Sequence, residues 1–384
     1  MKLLISILLS IGVIGCTSNV RENNLSQLDK ASIQRIDTLF SEFNNLNSPG
    51  FAIGILKDST VLYKKGYGAA NLDYAIPIKS NSAFDIASVS KQFTAACIAL
   101  LIMEGKLKLE AQAEDYIPEL SKYEDTILIK HLVYNTSGLI DYFKLPRNNG
   151  GSWLDFNYFD TQEAINTTLQ QDTLAFKPGE KWDYSNVNFM LLTKVVEKIS
   201  GMSFKEFANQ RLFIPLGMKN TVVNDDITAV IKNRVTPYNP RKAIYIEAYK
   251  KEGIKIGKKG KWIQHHRNAP HYGGSGIIST VDDLLIWEKN FFSHKFGGIE
   301  FYSLMHQTMK FNHERANQAF GLYFGTYKDR TFVAWEGANY GISSQVIRFP
   351  DQKTAIIVLS NLGSASARIK ANEIADILID ASQL

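Results

Sequence analysis

The sequence predicts an α/β fold of the α+β type: an antiparallel sheet built from both chain ends and flanked by helices, with a mostly helical region inserted. Three observations predict it. FAIGILKD and STVLYKKGYG near the N-terminus, and FGLYFGTY, TFVAWEG, SSQVIRFP and TAIIVLSN near the C-terminus, are short runs rich in β-branched and aromatic residues, as strands are. The middle of the chain carries helical periods instead, of which NFMLLTKVVEKIS, closed by Gly201, is the clearest. Ile86 to Met103 is small or apolar on nearly every face, the composition of a helix at the centre of a domain.

Taken in order, the chain opens with Lys2 and LLISILLSIGVIG, a charged start and an apolar segment too short to span a bilayer comfortably, ending at Cys16. This resembles a bacterial lipoprotein signal. It implies a signal peptide over 1–15, lipid on the Cys16 thiol, and a polar tether over 16–30. The expected location is the bacterial cell envelope, membrane-anchored and facing the periplasm or exterior. Ile33, Ile36, Leu39, Phe40, Phe43 and Leu46 then recur at helical spacing up to the turn at Ser48-Pro49-Gly50. Asp85 or Ser88 can cap the apolar helix, and Gly105 can end it. Asn148 to Ser152 reads as an irregular segment, and Thr236 to Pro270 as a long Lys- and Arg-rich loop with few apolar anchors. Turns are expected at Asp329-Arg330 and Asp351-Gln352, and a last helix from Ser366 to Ala381.

Composition narrows the function. The 43 basic residues against 38 acidic ones are a mild excess, with no basic stripe interleaved with aromatics, so nucleic acid is not an expected partner. His265, His266 and His271 have no spacing that puts two on one helical face with a carboxylate, so neither a metal nor another cofactor is expected. Cys97 lies in the apolar helix and reads as a small core residue, and His131 as structural.

The chemistry sits in two motifs. Ser88-Val89-Ser90-Lys91 heads the apolar helix, and Tyr184-Ser185-Asn186 follows Lys177-Pro178-Gly179-Glu180. A serine hydroxyl is a poor nucleophile at neutral pH and needs a base within reach. Three residues on in a helix, the Lys91 amine lies one turn above Ser88, and burial lowers the pKa of an amine enough for it to accept a proton. The Gly-x-Ser-x-Gly of the other large serine hydrolase class is absent: Gly273-Gly274-Ser275-Gly276-Ile277 fails at its last position.

Together FDIASVSKQFTA, HLVYNTSGL, FKPGEKWDYSNVNF, IPLGMKNT, GGSGIISTVDDL and RFPDQKTAIIVLSN resemble the serine beta-lactamase and penicillin-binding protein superfamily, in its class C beta-lactamase, DD-peptidase and D-aminopeptidase branch. The resemblance implies a hydrolase domain over 31–384, with 31–90 and 285–384 as its α/β part, 91–284 as its mostly helical part, and the site between them. It implies Ser88 as acylated nucleophile, Lys91 as its proton acceptor, and Tyr184 as a second acid/base group. Asn186 would bridge Lys91 and the substrate carbonyl, and the strand after Gly337 would help hold the oxyanion. Where the family carries Lys-Thr-Gly or His-x-Gly, this chain has Trp335-Glu336-Gly337. The missing cation favours an ester or amide with an uncharged or aromatic acyl side over a beta-lactam or a C-terminal carboxylate. The expected partner is thus a small molecule or peptide bearing an ester, amide or lactam carbonyl. The alternative is a catalytically weak member that binds an envelope ligand.

Overall fold

The computed structural model describes residues 28–148, 150–309 and 317–384. The expected signal peptide, Cys16 and nearly all of the tether lie outside the described residues. Seven strands form the main sheet: β1 (Phe51–Lys57), β2 (Thr60–Tyr67), β3 (Gln318–Ala319), β4 (Leu322–Tyr327), β5 (Arg330–Asn339), β6 (Ile342–Phe349) and β7 (Thr354–Ser360). All neighbours are antiparallel, in the order β3-β4-β5-β6-β7-β1-β2. The two chain ends join where β1 pairs with β7, Phe51 opposite Ser360 and Lys57 opposite Thr354. The sheet from both chain ends is as expected.

Strands β1, β6 and β7 are buried along almost their whole length, which is why β1 and β7 read as continuous apolar runs rather than alternating ones, while β6 also buries Ser343, Ser344, Gln345 and Arg348. The longer helices are α1 (Lys30–Leu39), α2 (Lys91–Met103), α3 (Asn186–Ser200), α4 (Val281–Ser293) and α5 (Ala367–Asp380). Helices α1 and α5 close one face of the sheet around Ile36, Phe40, Ile53, Ile356 and Leu378. Helices α2 and α4 close the other around Ala52, Phe93, Leu285 and Ile357, with α3 packed on α2. Among the described residues no helix is long and apolar enough to cross a membrane.

The structure corrects several expectations. Helix α1 stops at Leu39 because the chain swings at Phe40 to set that ring 5.1 Å from Phe51 and 4.9 Å from Tyr67, between centroids. Leu46 is 42% exposed and outside the core. The helix expected from Ile86 is regular only from Lys91, since Ala87–Ser90 form a tighter 3-10 turn with Ala87 at φ +46°. The turn expected at Asp329-Arg330 falls one residue earlier, on Lys328-Asp329 with φ of 45° and 63°, and Arg330 already pairs with Tyr327. Thr236 to Pro270 is not an unanchored loop. Within it Tyr238–Pro240 pairs with Trp262–Gln264, and the helix Ala243–Lys251 turns Tyr249 into a small core with Phe156 and Ile263. Those anchors are scattered singly and one comes from far earlier in the chain, so no local pattern announces them.

Candidate active site

The turn that carries Ser88 is held from two sides. The Ile86 amide donates to the Ile277 carbonyl at 3.0 Å, and the Asp85 carboxylate accepts from the Ala87 amide at 2.8 Å. On the other side β5 comes so close that a Cβ on Gly337 would stand 2.5 Å from the Ile86 carbonyl oxygen. The missing side chain of Gly337 lets β5 pack on the turn. Ser88 therefore sits half-buried between β5 and the segment that follows Gly273.

Four of the expected residues converge there. Ser88 Oγ lies 2.8 Å from the Tyr184 hydroxyl, and Lys91 Nζ donates to Ser88 Oγ at 3.2 Å, to Asn186 Oδ1 at 2.7 Å and to the Gly274 carbonyl at 2.5 Å. The Tyr184 hydroxyl also reaches Asn186 Oδ1 at 3.2 Å. Lys91 is fully buried, and burial pushes its amine down from 10.5 to about 7, with the Asp141 carboxylate pulling the other way. All three of its hydrogen-bond acceptors are neutral oxygens, so none of them fixes the proton on the amine.

Trp335 stands on the same face of β5, 7% exposed, with its ring stacked on Tyr184 at 6.5 Å between centroids. Beside these two residues in the chain, Asp183 pairs with Lys144 at 2.6 Å and Glu336 with Arg368 at 3.0 Å, both pairs at the surface. Strand register fixes where the β5 backbone points. The two-residue turn makes Tyr327 and Arg330 a hydrogen-bonded pair, so Arg330, Phe332 and Ala334 address β4, and by alternation Glu336 and Ala338 turn the same way. Pairing with β4 ends at Ala334, so the Ala338 N–H faces an edge that β4 does not cover.

Residues 36–379 match the family model described as Beta-lactamase. The chain belongs to the beta-lactamase family. It is 26% identical over 332 residues to a D-aminopeptidase of Gluconobacter oxydans (strain 621H), an alignment covering 86% of this chain and 59% of that protein. An octameric penicillin-binding protein homologue from Pyrococcus abyssi superposes with a TM-score of 0.77 at 22% identity, over 91% of this chain and 77% of that one. A D-amino acid amidase from Ochrobactrum anthropi SV3, complexed with L-phenylalanine amide, superposes with a TM-score of 0.73 at 17% identity, over 92% and 99%. These likenesses show a shared fold, and membership of the beta-lactamase family makes the chain a serine hydrolase.

The beta-lactamase-like cluster also uses residues that the sequence reading passed over. A Cβ on Gly273 would stand 2.6 Å from the Phe189 carbonyl oxygen and one on Gly274 3.0 Å from that of Asn186, so the glycine pair lets its loop drop onto α3 and deliver a carbonyl to Lys91. Asp141 accepts from the Asn186 amide with Oδ2 and from the Phe143 amide at 2.9 Å with Oδ1, fixing the start of α3. Asp85 pairs with Arg267, both buried. His131 lies outside the cluster, as expected of a structural residue: its Nδ1 accepts from Leu128, its ring packs under Gly179, and burial pushes its pKa down to about 4. Cys97 is wholly buried and burial pushes its thiol up.

Proposed function

We propose that this chain is an exported acyl-enzyme hydrolase that cleaves an ester or amide through Ser88. The observation that carries the reading is one hydroxyl, Ser88 Oγ, contacted at once by a buried amine at 3.2 Å and a phenol at 2.8 Å. As Ser88 attacks the carbonyl, its proton passes to Lys91 directly or by way of Tyr184, and Tyr184 delivers a proton to the leaving group. Asn186 holds Lys91 and Tyr184 in register through one oxygen. The Ser88 and Ala338 N–H groups are the oxyanion donors in this reading. Water then attacks the acyl-enzyme with the proton path reversed.

Trp335 argues for a substrate with an uncharged or aromatic acyl side, because the wall beside Tyr184 is an indole. The amidase and D-aminopeptidase relatives support an amide as the scissile group. Export and a lipid on Cys16 rest on the N-terminal sequence and place the reaction in the cell envelope. The test is intact mass after a fluorophosphonate probe, on wild type and Ser88→Ala. One adduct on the wild type and none on the variant is the expected result; an unmodified wild type would turn the reading to a binder of an envelope ligand.

A further inference from the structure

Ala87, the residue before the nucleophile, has φ +46°, in the left-handed region that an alanine populates about five- to thirtyfold less readily than ordinary backbone. A non-glycine residue stays there only where its surroundings hold it. The peptide unit leading into Ala87 is gripped at both ends. The Ser344 hydroxyl donates to the Ile86 carbonyl at 2.7 Å, and the Ala87 amide donates to Asp85 Oδ1 at 2.8 Å. Ser344 and Asp85 are both buried, but only Asp85 brings a charge out of water to do this.

The other carboxylate oxygen of Asp85 pairs with Arg267 Nη1, also buried. Arg267 in turn donates to backbone, from Nε to the Ala269 carbonyl at 3.1 Å and from Nη2 to the His271 carbonyl at 3.2 Å. Those carbonyls lie on the segment that runs into Gly273 and Gly274, whose carbonyl accepts from Lys91. A single buried ion pair thus ties the turn of the nucleophile to the loop that holds its base. For stability alone an apolar pair of the same size would serve as well, yet here one carboxylate oxygen is committed to the N–H that fixes Ala87. We propose that Asp85, oriented by Arg267, is a positioning residue of the Ser88 site: it holds Ala87 in the left-handed backbone that aims the Ser88 hydroxyl at Lys91 and Tyr184. The proposal rests on the acyl-enzyme reading above.

The experiment is a double-mutant cycle on Asp85→Ala and Ala87→Gly, read as the rate of fluorophosphonate labelling of Ser88 and as p-nitrophenyl butyrate turnover, both per folded molecule. Asp85→Ala is expected to slow labelling and lower kcat about thirtyfold, with KM within about twofold. In the Ala87→Gly background the same change should cost only about fivefold, because glycine enters the left-handed region without the penalty. Equal losses in the two backgrounds, or a loss carried by KM, overturn the proposal. Asp85→Asn is read the same way where Asp85→Ala does not fold. Ala87→Gly alone should hold or raise the urea midpoint, whereas the same exchange in ordinary backbone lowers it; a fall overturns the proposal even if neither Asp85 variant folds. Wild type that is labelled and active keeps the acyl-enzyme reading whatever the cycle gives, and unlabelled, inactive wild type overturns that reading and the proposal with it.

Discussion

Lys91 and Arg348 are both cationic side chains sunk in the same core, 0% and 1% exposed, yet their surroundings are opposite. Arg348 Nε stands 2.8 Å from Glu288 Oε2, a second nitrogen donates to Oε1 at 3.2 Å, and the guanidinium carbon is 3.4 Å from the Phe291 ring centroid. Among the described residues Lys91 touches no carboxylate; its hydrogen bonds go to the oxygens of Ser88, Asn186 and Gly274. The lesson is about counter-charge. A guanidinium with a carboxylate in contact stays charged and holds structure, whereas an amine given only neutral acceptors stays free to trade its proton.

The largest effect expected from this contrast is on stability. Glu288→Gln keeps the shape but leaves the Arg348 charge buried and uncompensated, which costs about 3–5 kcal/mol in urea unfolding. Activity per folded molecule should stay within about twofold, because Glu288 lies outside the Ser88 cluster. An unchanged unfolding midpoint would break the comparison at its structural end.

Lys91→Met tests the other end. Turnover of a p-nitrophenyl ester should fall at least about a hundredfold, the contribution of a positioned base. Thermal stability should hold or rise, since the variant removes an amine that burial disfavours. The wild-type kcat/KM should climb as pH passes through about 7, where the amine loses its proton. The sign for stability follows from the same shift: between about 7 and 10.5 the unfolded chain holds a proton that the folded chain has released, so folding strengthens with rising pH across that window. That slope should vanish in Lys91→Met. A flat pH profile for the wild type would remove Lys91 from proton transfer.

How much of this the sequence discloses depends on the kind of contact. Ser88 and Lys91 are legible because one helical turn is a local rule. Tyr184 and Asn186 are legible only as a motif, since nothing periodic brings them to Ser88. The Gly274 carbonyl that binds Lys91 is a backbone group with no side-chain signature; its trace is the glycine pair that lets it approach. Arg267 and Asp85 are far apart in the chain, so their pairing is invisible without the fold. The strands of the sheet were readable from runs of β-branched and aromatic residues, most plainly in β1 and β7, where burial along nearly the whole strand leaves an almost unbroken apolar run, whereas Thr236 to Pro270 hides its single aromatic anchors among lysines.

The smallest expected effect sharpens the comparison by adding a third cation. Trp335→Lys would place an amine beside Tyr184, where the indole now stacks, in a spot nearly as enclosed as that of Lys91. No carboxylate is in contact with Trp335 among the described residues, because Glu336 points to the other face and is engaged by Arg368. The new charge would therefore be satisfied best by a substrate carboxylate. An ester carrying a free acyl-side carboxylate should gain about fivefold in kcat/KM relative to its methylated counterpart, less than a full charge-assisted hydrogen bond because enclosure also lowers the amine's charge. A ratio unchanged from wild type would mean that acyl-side charge is not read at this position, and that the indole matters for how Tyr184 is packed rather than for which substrate is taken.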